Sequence, residues 1–399
     1  MGSGDFFQSS LLKIFDTVET AASELFEGAA QALVGNAETL RDGTEFDALE
    51  LPRDLYAHRG AQTEWWYYTG HAETDDGKRF GFELVFFKRR TDLDKFGMVP
   101  LRLLGNPIFF AHFAITDYEN KSFRYAHRKS ANGIFDDPAA ASEDHYHLRL
   151  GDWSVRESFG NHVLRATINH DLVFEATLKP SKPVVLNGKK MDGVSFKDQG
   201  QASRYFSYTR MEVDGVLTSN GQLSHFNGAA WMDREFGTWT PTEKQKGWDW
   251  FSVQLDGGTD IMVYQLRDSK NNVSEFSSGV FVGEDGNYEP LSSDDFTVTP
   301  TGYWKSDRSG AVYPSGWRVE LPERHISLHI EPVLKDQELD TRGTTMIVYW
   351  EGACEVKGSI GENSVVGRAY VELVGYDRSH ENPNLAYFLF SNRFDAASG

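Results

Sequence analysis

An all-β chain with a helical N-terminal extension is the fold class this sequence predicts, on three observations. Helical periodicity is confined to the N-terminal segment. Beyond Gly60, short aromatic and β-branched runs alternate with Gly, Asp and Asn turns as far as Phe394. Runs of that length and regular spacing suit antiparallel barrels or sandwiches, because closed sheets leave no exposed edge.

The first element is the helix. From Phe6 to about Val34 apolar residues recur as Phe7, Leu11, Ile14, Val18, Ala22, Leu25, Ala29 and Leu33, steps of three and four that put them on one face. The polar face carries Asp16, Glu19, Glu24 and Glu27 against Lys13 alone, whereas helices that lie on anionic membranes are usually basic there. The stripe therefore predicts docking on the body of the protein or on a partner copy, with a weak membrane-surface contact as the alternative. Residues 41–60 are polar and contain proline, and they read as a linker.

The strands follow. Trp65–Gly70 and Phe80–Phe87 flank a turn at Asp75-Asp76-Gly77. Val163–Ile168, Val173–Leu178 and Tyr205–Val213 come next, then Trp250–Leu255 and Ile261–Leu266 around Asp256-Gly257. A faint repeat joins the two ends of this series: Glu64-Trp65-Trp66-Tyr67-Tyr68 with a strand ending Phe87-Lys88-Arg89 matches Asp249-Trp250-Phe251 with a strand ending Leu266-Arg267. Trp66 and Trp250 are expected at corresponding places in two opening strands. The expected organisation is a helical extension over 1–43, one β domain over 57–236 and a second over 247–395.

Charge and composition limit the function. The 399 residues include 40 Lys and Arg against 59 Asp and Glu, a net charge of −19, which argues against a nucleic-acid partner because phosphate binding needs clustered positive charge. A hydrophobic share of 40% with 25% charged residues is that of a folded soluble protein. The single cysteine, Cys354, excludes an intrachain disulfide and a Cys-based zinc site. Aromatic residues reach 14%, enough to line a pocket as well as fill a core. No run approaches the ~18 apolar residues of a membrane span, and Met1–Gln8 lacks the basic start of a secretory leader. Cytoplasmic residence is the expectation.

Two clusters could carry chemistry. In a strand Trp231, Asp233 and Glu235 share a face, an aromatic beside two carboxylates. Inside an apolar barrel such a carboxyl would be driven towards its neutral form and serve as a proton donor. The competing reading makes Asp233, Arg234 and Glu235 ion pairs at a domain seam. In the second cluster Glu64, Trp66 and Tyr68 share one face and Trp65 and Tyr67 the other. Trp66 reads as the plug of a barrel end, while aromatic faces in a dry pocket stabilise cations. The histidines are scattered without metal-ligand spacing, and His112, amid Phe109, Phe110 and Phe113, reads as a hydrogen-bonded core histidine. Serine-hydrolase, phosphate-loop and dinucleotide motifs are missing. No metal and no cofactor are expected.

Seven motifs in order, from Thr63-Glu64-Trp65-Trp66-Tyr67-Tyr68 and Phe110-Ala111-His112-Phe113-Ala114 through Tyr205-Phe206-Ser207-Tyr208, Trp231-Met232-Asp233-Arg234-Glu235, Gly247-Trp248-Asp249-Trp250, Tyr349-Trp350-Glu351-Gly352 to Tyr370-Val371-Glu372, resemble the lipocalin-like AttH/CrtC-type superfamily. That group includes carotenoid 1,2-hydratases, predicted secreted hydrolases and, more distantly, cyclases of the Diels–Alderase kind. The resemblance implies two tandem lipocalin-like antiparallel β-barrels and an acid that protonates an isolated alkene, after which water captures the cation. Asp233 falls where the family's acid is expected, with Trp231 beside it and Tyr208, His112, Glu64 and Trp65 as further pocket residues. The Trp-Met-Asp-Arg-Glu form is that of the secreted-hydrolase branch. The reading is an enzyme, with Asp233, Glu64 and Tyr208 as catalytic residues and Trp65, Trp66, Tyr67, His112, Trp231 and Glu235 around a hydrophobic isoprenoid- or polyketide-like substrate. A cofactor-free cyclase and a non-catalytic lipid carrier are the alternatives.

Overall fold

The computed structural model describes residues 48–92, 95–96, 99–100, 105–131, 138–169, 171–238, 245–377 and 393–398. The helical extension expected over 1–43, and with it the membrane-surface reading, lies outside the described residues. Within them the chain is all-β, its only helices being single 3-10 turns.

Eleven of the first sheet's fourteen strands position the site. They are β1 (Thr63–Thr74), β2 (Arg79–Arg89), β3 (Ile108–Asp117), β4 (Ser122–Ser130), β5 (Ala139–Ala141), β6 (His147–Leu150), β7 (Trp153–Ser158), β8 (Asn161–Ile168), β9 (Leu172–Pro180), β10 (Gln201–Ser219) and β11 (Gln222–Gly237). The predicted Asp75-Asp76-Gly77 turn joins β1 to β2, with Gly77 at φ +81°. The spatial order β4-β3-β2-β1-β11-β10-β9-β8-β7-β6-β5 is antiparallel throughout. Its two ends approach each other: Arg128 of β4 donates to Thr167 Oγ1 of β8 at 2.8 Å, and Arg124 pairs with Asp171 at 2.8 Å. The sheet is a nearly closed barrel. Alternation fills it, since Trp66, Tyr68, Phe82, Leu84, Phe113, Phe174 and Met232 point inward and are buried. Gly70 belongs to this packing, because a Cβ there would lie 2.4 Å from the Phe82 ring.

The second sheet has the order β15-β14-β13-β12-β20-β19-β18-β17-β16. Nine of its ten strands are β12 (Gln245–Leu255), β13 (Asp260–Asp268), β14 (Ser278–Val282), β15 (Tyr288–Ser292), β16 (Thr297–Pro300), β17 (Trp317–Leu321), β18 (Ile326–Pro332), β19 (Val348–Ile360) and β20 (Asn363–Leu373). It curls on itself, for Phe251 of β12 and Trp317 of β17, four strands apart in the order, bring their rings within 5.5 Å. Cys354 is a buried thiol of this core. Residues 393–398 run back to pair with β4 of the first sheet, so the second β unit as read from sequence, 247–395, does not end where its sheet does.

The internal repeat holds face by face, with one correction. Trp65 and Trp250 both point out of their sheets, whereas Trp66 and Phe251 both point into the cores. The counterpart of Trp250 is therefore Trp65 and not Trp66, because a one-residue offset in a strand changes face. Glu64 and Asp249 also correspond. Each pairs with a buried arginine, Arg234 and Arg267, whose guanidinium lies 4.0 Å over a ring, Trp66 and Tyr376 respectively.

The sheets meet on their outer faces. His71 donates through Nε2 to the Ala369 carbonyl at 3.1 Å and accepts at Nδ1 from the Tyr118 hydroxyl at 2.7 Å, a neutral arrangement that burial enforces by lowering the imidazole to about 3. The fully buried Asp260 takes Arg210 at 2.6 Å, Lys182 at 2.8 Å and Thr209 at 3.0 Å from the first sheet. Clamped in this way, the two outer faces enclose the space described next.

Candidate functional site between the two sheets

Odd-numbered residues of β1 leave the barrel, and antiparallel register then fixes what stands beside them. Tyr67 lies opposite Asp233, and Trp65 opposite Glu235, across the β1–β11 pair. On the other side of β11, Ser207 faces Asp233 and Tyr205 faces Glu235. On the second sheet Glu372 of β20 lies between Trp250 of β12 and Glu351 of β19. Together these faces bound a cavity of about 240 Å³ with aromatic walls that include Trp65, Phe87, Trp248, Trp250, Tyr264 and Tyr349.

Asp233 is the most supported carboxyl in the cavity. It accepts from the Tyr205 hydroxyl at 2.6 Å, the Ser207 hydroxyl at 2.5 Å and the Trp231 indole N–H at 2.6 Å. Those donors are themselves held, Tyr205 by Trp250 Nε1 at 3.1 Å and Ser207 by Asn187 Nδ2 at 2.8 Å. Burial raises Asp233, the three donors pull it down, Glu235 pushes it up, and the result is about 6. Glu372 has a single donor, Trp248 Nε1 at 2.8 Å. Burial, with the charges of Asp233 and Glu235 across the cavity, takes it to about 7. Glu351 accepts from the Tyr67 hydroxyl on Oε1, while its Oε2 has no hydrogen-bond partner; burial first, then Glu372 and Glu83, hold it well above the usual carboxyl range. Glu235 is bound by Lys197 at 2.7 Å and by Ser203. His112, held neutral by burial and by His127, hydrogen-bonds Tyr349 at 2.7 Å on the cavity wall.

The structure thus brings together Asp233, Glu235, Trp65, Tyr67 and His112, with Trp231 immediately behind Asp233. It does not bring Glu64, Trp66 or Tyr208 to them, because all three lie on the barrel side of their strands. Glu64 stands in a buried ion-pair cluster with Arg234 and Lys88. Burial would raise it, but Arg234 at its carboxylate, His58 and Lys88 hold it at about 2. Trp66 closes the barrel end, its indole N–H on the Leu55 carbonyl at 2.8 Å. Tyr208 packs on His162 inside the barrel at 5.5 Å between rings. The aromatic-and-two-carboxylate face read from sequence is present, but it faces a second sheet, not a barrel interior.

Sequence reasoning missed Lys197, Tyr205, Ser207, Trp248, Trp250, Glu351 and Glu372 as site residues. All but Lys197 fall in the seven motifs, and alternation from Asp233 or Trp250 would have assigned their faces. Nothing in the short segment around Lys197 signals its position. A larger cavity, about 310 Å³, opens at the far mouth of the first barrel, but the cations on its rim are already paired, Lys78 with Asp76 and Arg124 with Asp171.

These shifts make stability depend on pH in two windows. Asp233 and Glu372 sit above their usual 3.8 and 4.5, so the folded chain holds their protons more tightly and their ionisation opposes folding. Those two contributions fall as pH rises from about 4 to about 7, by roughly 3 kcal/mol for each group. Glu64 works the other way, its contribution present above 4.5 and lost as pH falls towards 2. The buried imidazoles of His71, His127 and His162, lowered to about 3, likewise add stability as pH rises towards 6.5. The Glu372 contribution is therefore read as a difference: by urea denaturation Glu372→Gln should gain stability relative to the wild-type chain between pH 5 and pH 8, and an unchanged difference would contradict the burial argument.

Three comparisons place these observations. A family model described as AttH-like matches residues 43–376. Among solved structures, a protein described as AttH from Nitrosomonas europaea superposes with a TM-score of 0.73 at 31% identity, covering 85% of this chain and 100% of that one. Kievitone hydratase from Nectria haematococca gives 0.65 at 15% identity, with 86% and 97% covered. CghA in complex with Sch210972 gives 0.50 at 13% identity, with 85% and 96% covered. A search of curated proteins found no match.

Proposed function

The chain belongs to the AttH-like family, and from that premise we propose that its inter-sheet cavity binds a hydrophobic, isoprenoid-like or polyketide-like molecule and catalyses acid-initiated hydration or isomerisation of an alkene. The observation that carries this reading is Asp233: a buried carboxyl at about 6 whose conjugate base is met by three donors already in place. Charge left on Asp233 when its proton departs is stabilised with little reorganisation. A binding protein has no use for such an arrangement, since buried carboxyls are costly to desolvate. That kievitone hydratase shares the fold supports a hydratase over a carrier.

In the proposed step the Asp233 carboxyl gives its proton to one alkene carbon and a C–H bond forms. The cation at the other carbon rests against the Trp65, Tyr67 and Trp250 rings. A water oxygen bonds to it, and Glu372 on the facing wall takes the proton that water releases. The product is a tertiary alcohol, and passage of the proton back to Asp233 restores the start. Loss of a neighbouring C–H proton to Glu372 instead gives the isomerised alkene. With Glu372 at about 7 and Asp233 at about 6, the reactive proton placement is disfavoured by only about tenfold.

The test is to incubate the full chain in heavy-oxygen water with an acyclic isoprenoid ending in a trisubstituted alkene and to look for the tertiary alcohol by mass. One heavy oxygen in the product is the expected result. A cyclised product without label would favour the cyclase reading, which the enclosed aromatic walls also suit, and recovery of unchanged alkene bound to the protein would favour a carrier.

A further inference from the structure

Among the described residues Lys197 is the one cation on the cavity wall, and its hydrogen-bonding capacity is only partly spent. It enters from the short strand Val194–Asp198, which pairs with β10, and its side chain keeps 11% of its surface accessible. Its Nζ lies 2.7 Å from Glu235 Oε1, 4.9 Å from the centre of the Tyr264 ring and 5.3 Å from that of Tyr205, all three groups on the cavity wall. Burial would lower the ammonium, but Glu235 and Tyr264 outweigh it and hold the group charged, above its ordinary value. An ammonium carries three donors, and Glu235 is the one ion-pair partner of this one among the described residues.

The aromatic donors around it are committed. The Tyr67 hydroxyl goes to Glu351, the Tyr205 hydroxyl to Asp233, the Trp248 indole to Glu372 and the Trp250 indole to Tyr205. The Tyr264 hydroxyl is shared with Ser195 at 2.9 Å and Ser278 at 2.8 Å. An oxygen that only accepts, such as a carbonyl, therefore finds its donor at Lys197. Glu235 already balances the positive charge, so a neutral oxygen suits the place better than an anion. Asp233 and Glu235 share one face of β11 two residues apart, about 7 Å along the strand. A carbonyl held at Lys197 thus leaves an alkene a few bonds away beside the Asp233 carboxyl.

We propose that Lys197 determines substrate choice by donating to the carbonyl oxygen of a neutral unsaturated ketone or ester, so that the cavity takes an oxygenated isoprenoid or polyketide in preference to a hydrocarbon. The placing of the alkene rests on the reaction proposed above; the recognition of the carbonyl does not.

The experiment compares two probes of matched shape on the full chain at pH 7 by calorimetry or tryptophan fluorescence: 6-methylhept-5-en-2-one, and 2,6-dimethylhepta-1,5-diene, in which a methylene replaces the oxygen. In a cavity without a matching donor the diene binds the more tightly, since the ketone surrenders its hydration. Here the ketone should bind at least about tenfold more tightly. Lys197→Met should erase that preference and leave the diene's affinity within about threefold. The double variant Lys197→Met/Glu235→Gln leaves no buried charge unpaired and should behave alike, whereas Glu235→Gln alone should keep the preference. A ketone that binds the wild-type chain no more tightly than the diene would overturn the proposal, and so would a preference that survives in both Lys197 variants. The wild-type comparison stands even if a variant fails to fold. Binding of neither probe overturns this inference together with the proposed function. Hydration of both probes without a ketone preference removes this inference alone, and a ketone preference without any tertiary alcohol formed removes the hydration reading alone.

Discussion

Asp233→Asn lowers turnover of the alkene by ~10²–10⁴-fold, the range a positioned general acid supplies, and changes the affinity for 2-methyloctan-2-ol by no more than about threefold. The fold tolerates the change. An amide oxygen at the Oδ1 position still accepts from Trp231 and Ser207, and an amide nitrogen at Oδ2 can donate to the Tyr205 hydroxyl, which turns to accept. Only the transferable proton is lost. For the proposed reaction Asp233 and Glu372 of the wild-type chain together need one proton between them, so kcat/KM should follow a bell with limbs near 6 and 7. Below the bell both groups are protonated and no base remains; above it both are ionised and no acid remains. Wild-type rates in Asp233→Asn, with folding verified by its melting curve, would leave a shape-driven cyclase as the better enzyme reading.

Glu64→Gln destabilises the chain by ~3–5 kcal/mol, because it leaves two buried cations without their counter-charge. Arg234, fully buried, loses the carboxylate it shares with Lys88, and what remains to it is uncharged: the carbonyls of Asp54, Tyr56, Trp65 and Glu235, the His58 ring nitrogen and the rings of Trp66 and Phe236. Urea unfolding reads the loss. Turnover per folded molecule should stay within about threefold of wild type, since Glu64 lies on the barrel side of β1 and the cavity on the other. Full stability with turnover abolished would return Glu64 to the catalytic group.

The difference between those two carboxylates shows what sequence could and could not convey. Alternation placed Glu64 apart from Trp65 and Tyr67, and Trp231 with Asp233 and Glu235, correctly and without coordinates. It could not say which of the two faces of β1 met a ligand, because both are aromatic and both are buried, one by the barrel and one by a second sheet. The all-β class was legible because turn chemistry is local. The cavity was not, because it is made where β1 packs on β20 and β2 on β19, strands more than two hundred residues apart. Glu351 and Glu372 were in view within recognisable motifs, yet their opposition to Asp233 is a product of sheet-on-sheet packing. The repeat could have supplied it: with Glu64 matched to Asp249, Trp65 falls on Trp250, and the two outward tryptophans mark the shared face.

The central claim is that chemistry belongs between the sheets and not inside the first barrel, and a crystal structure of the full chain with 2-methyloctan-2-ol bound tests it most directly. The account predicts the hydroxyl within hydrogen-bond distance of Asp233 and Glu372, with the alkyl chain against Trp65 and Trp250. Alcohol found inside the first barrel among Tyr68, Tyr146 and His162, or at its far mouth beside Arg79 and Arg124, would contradict it.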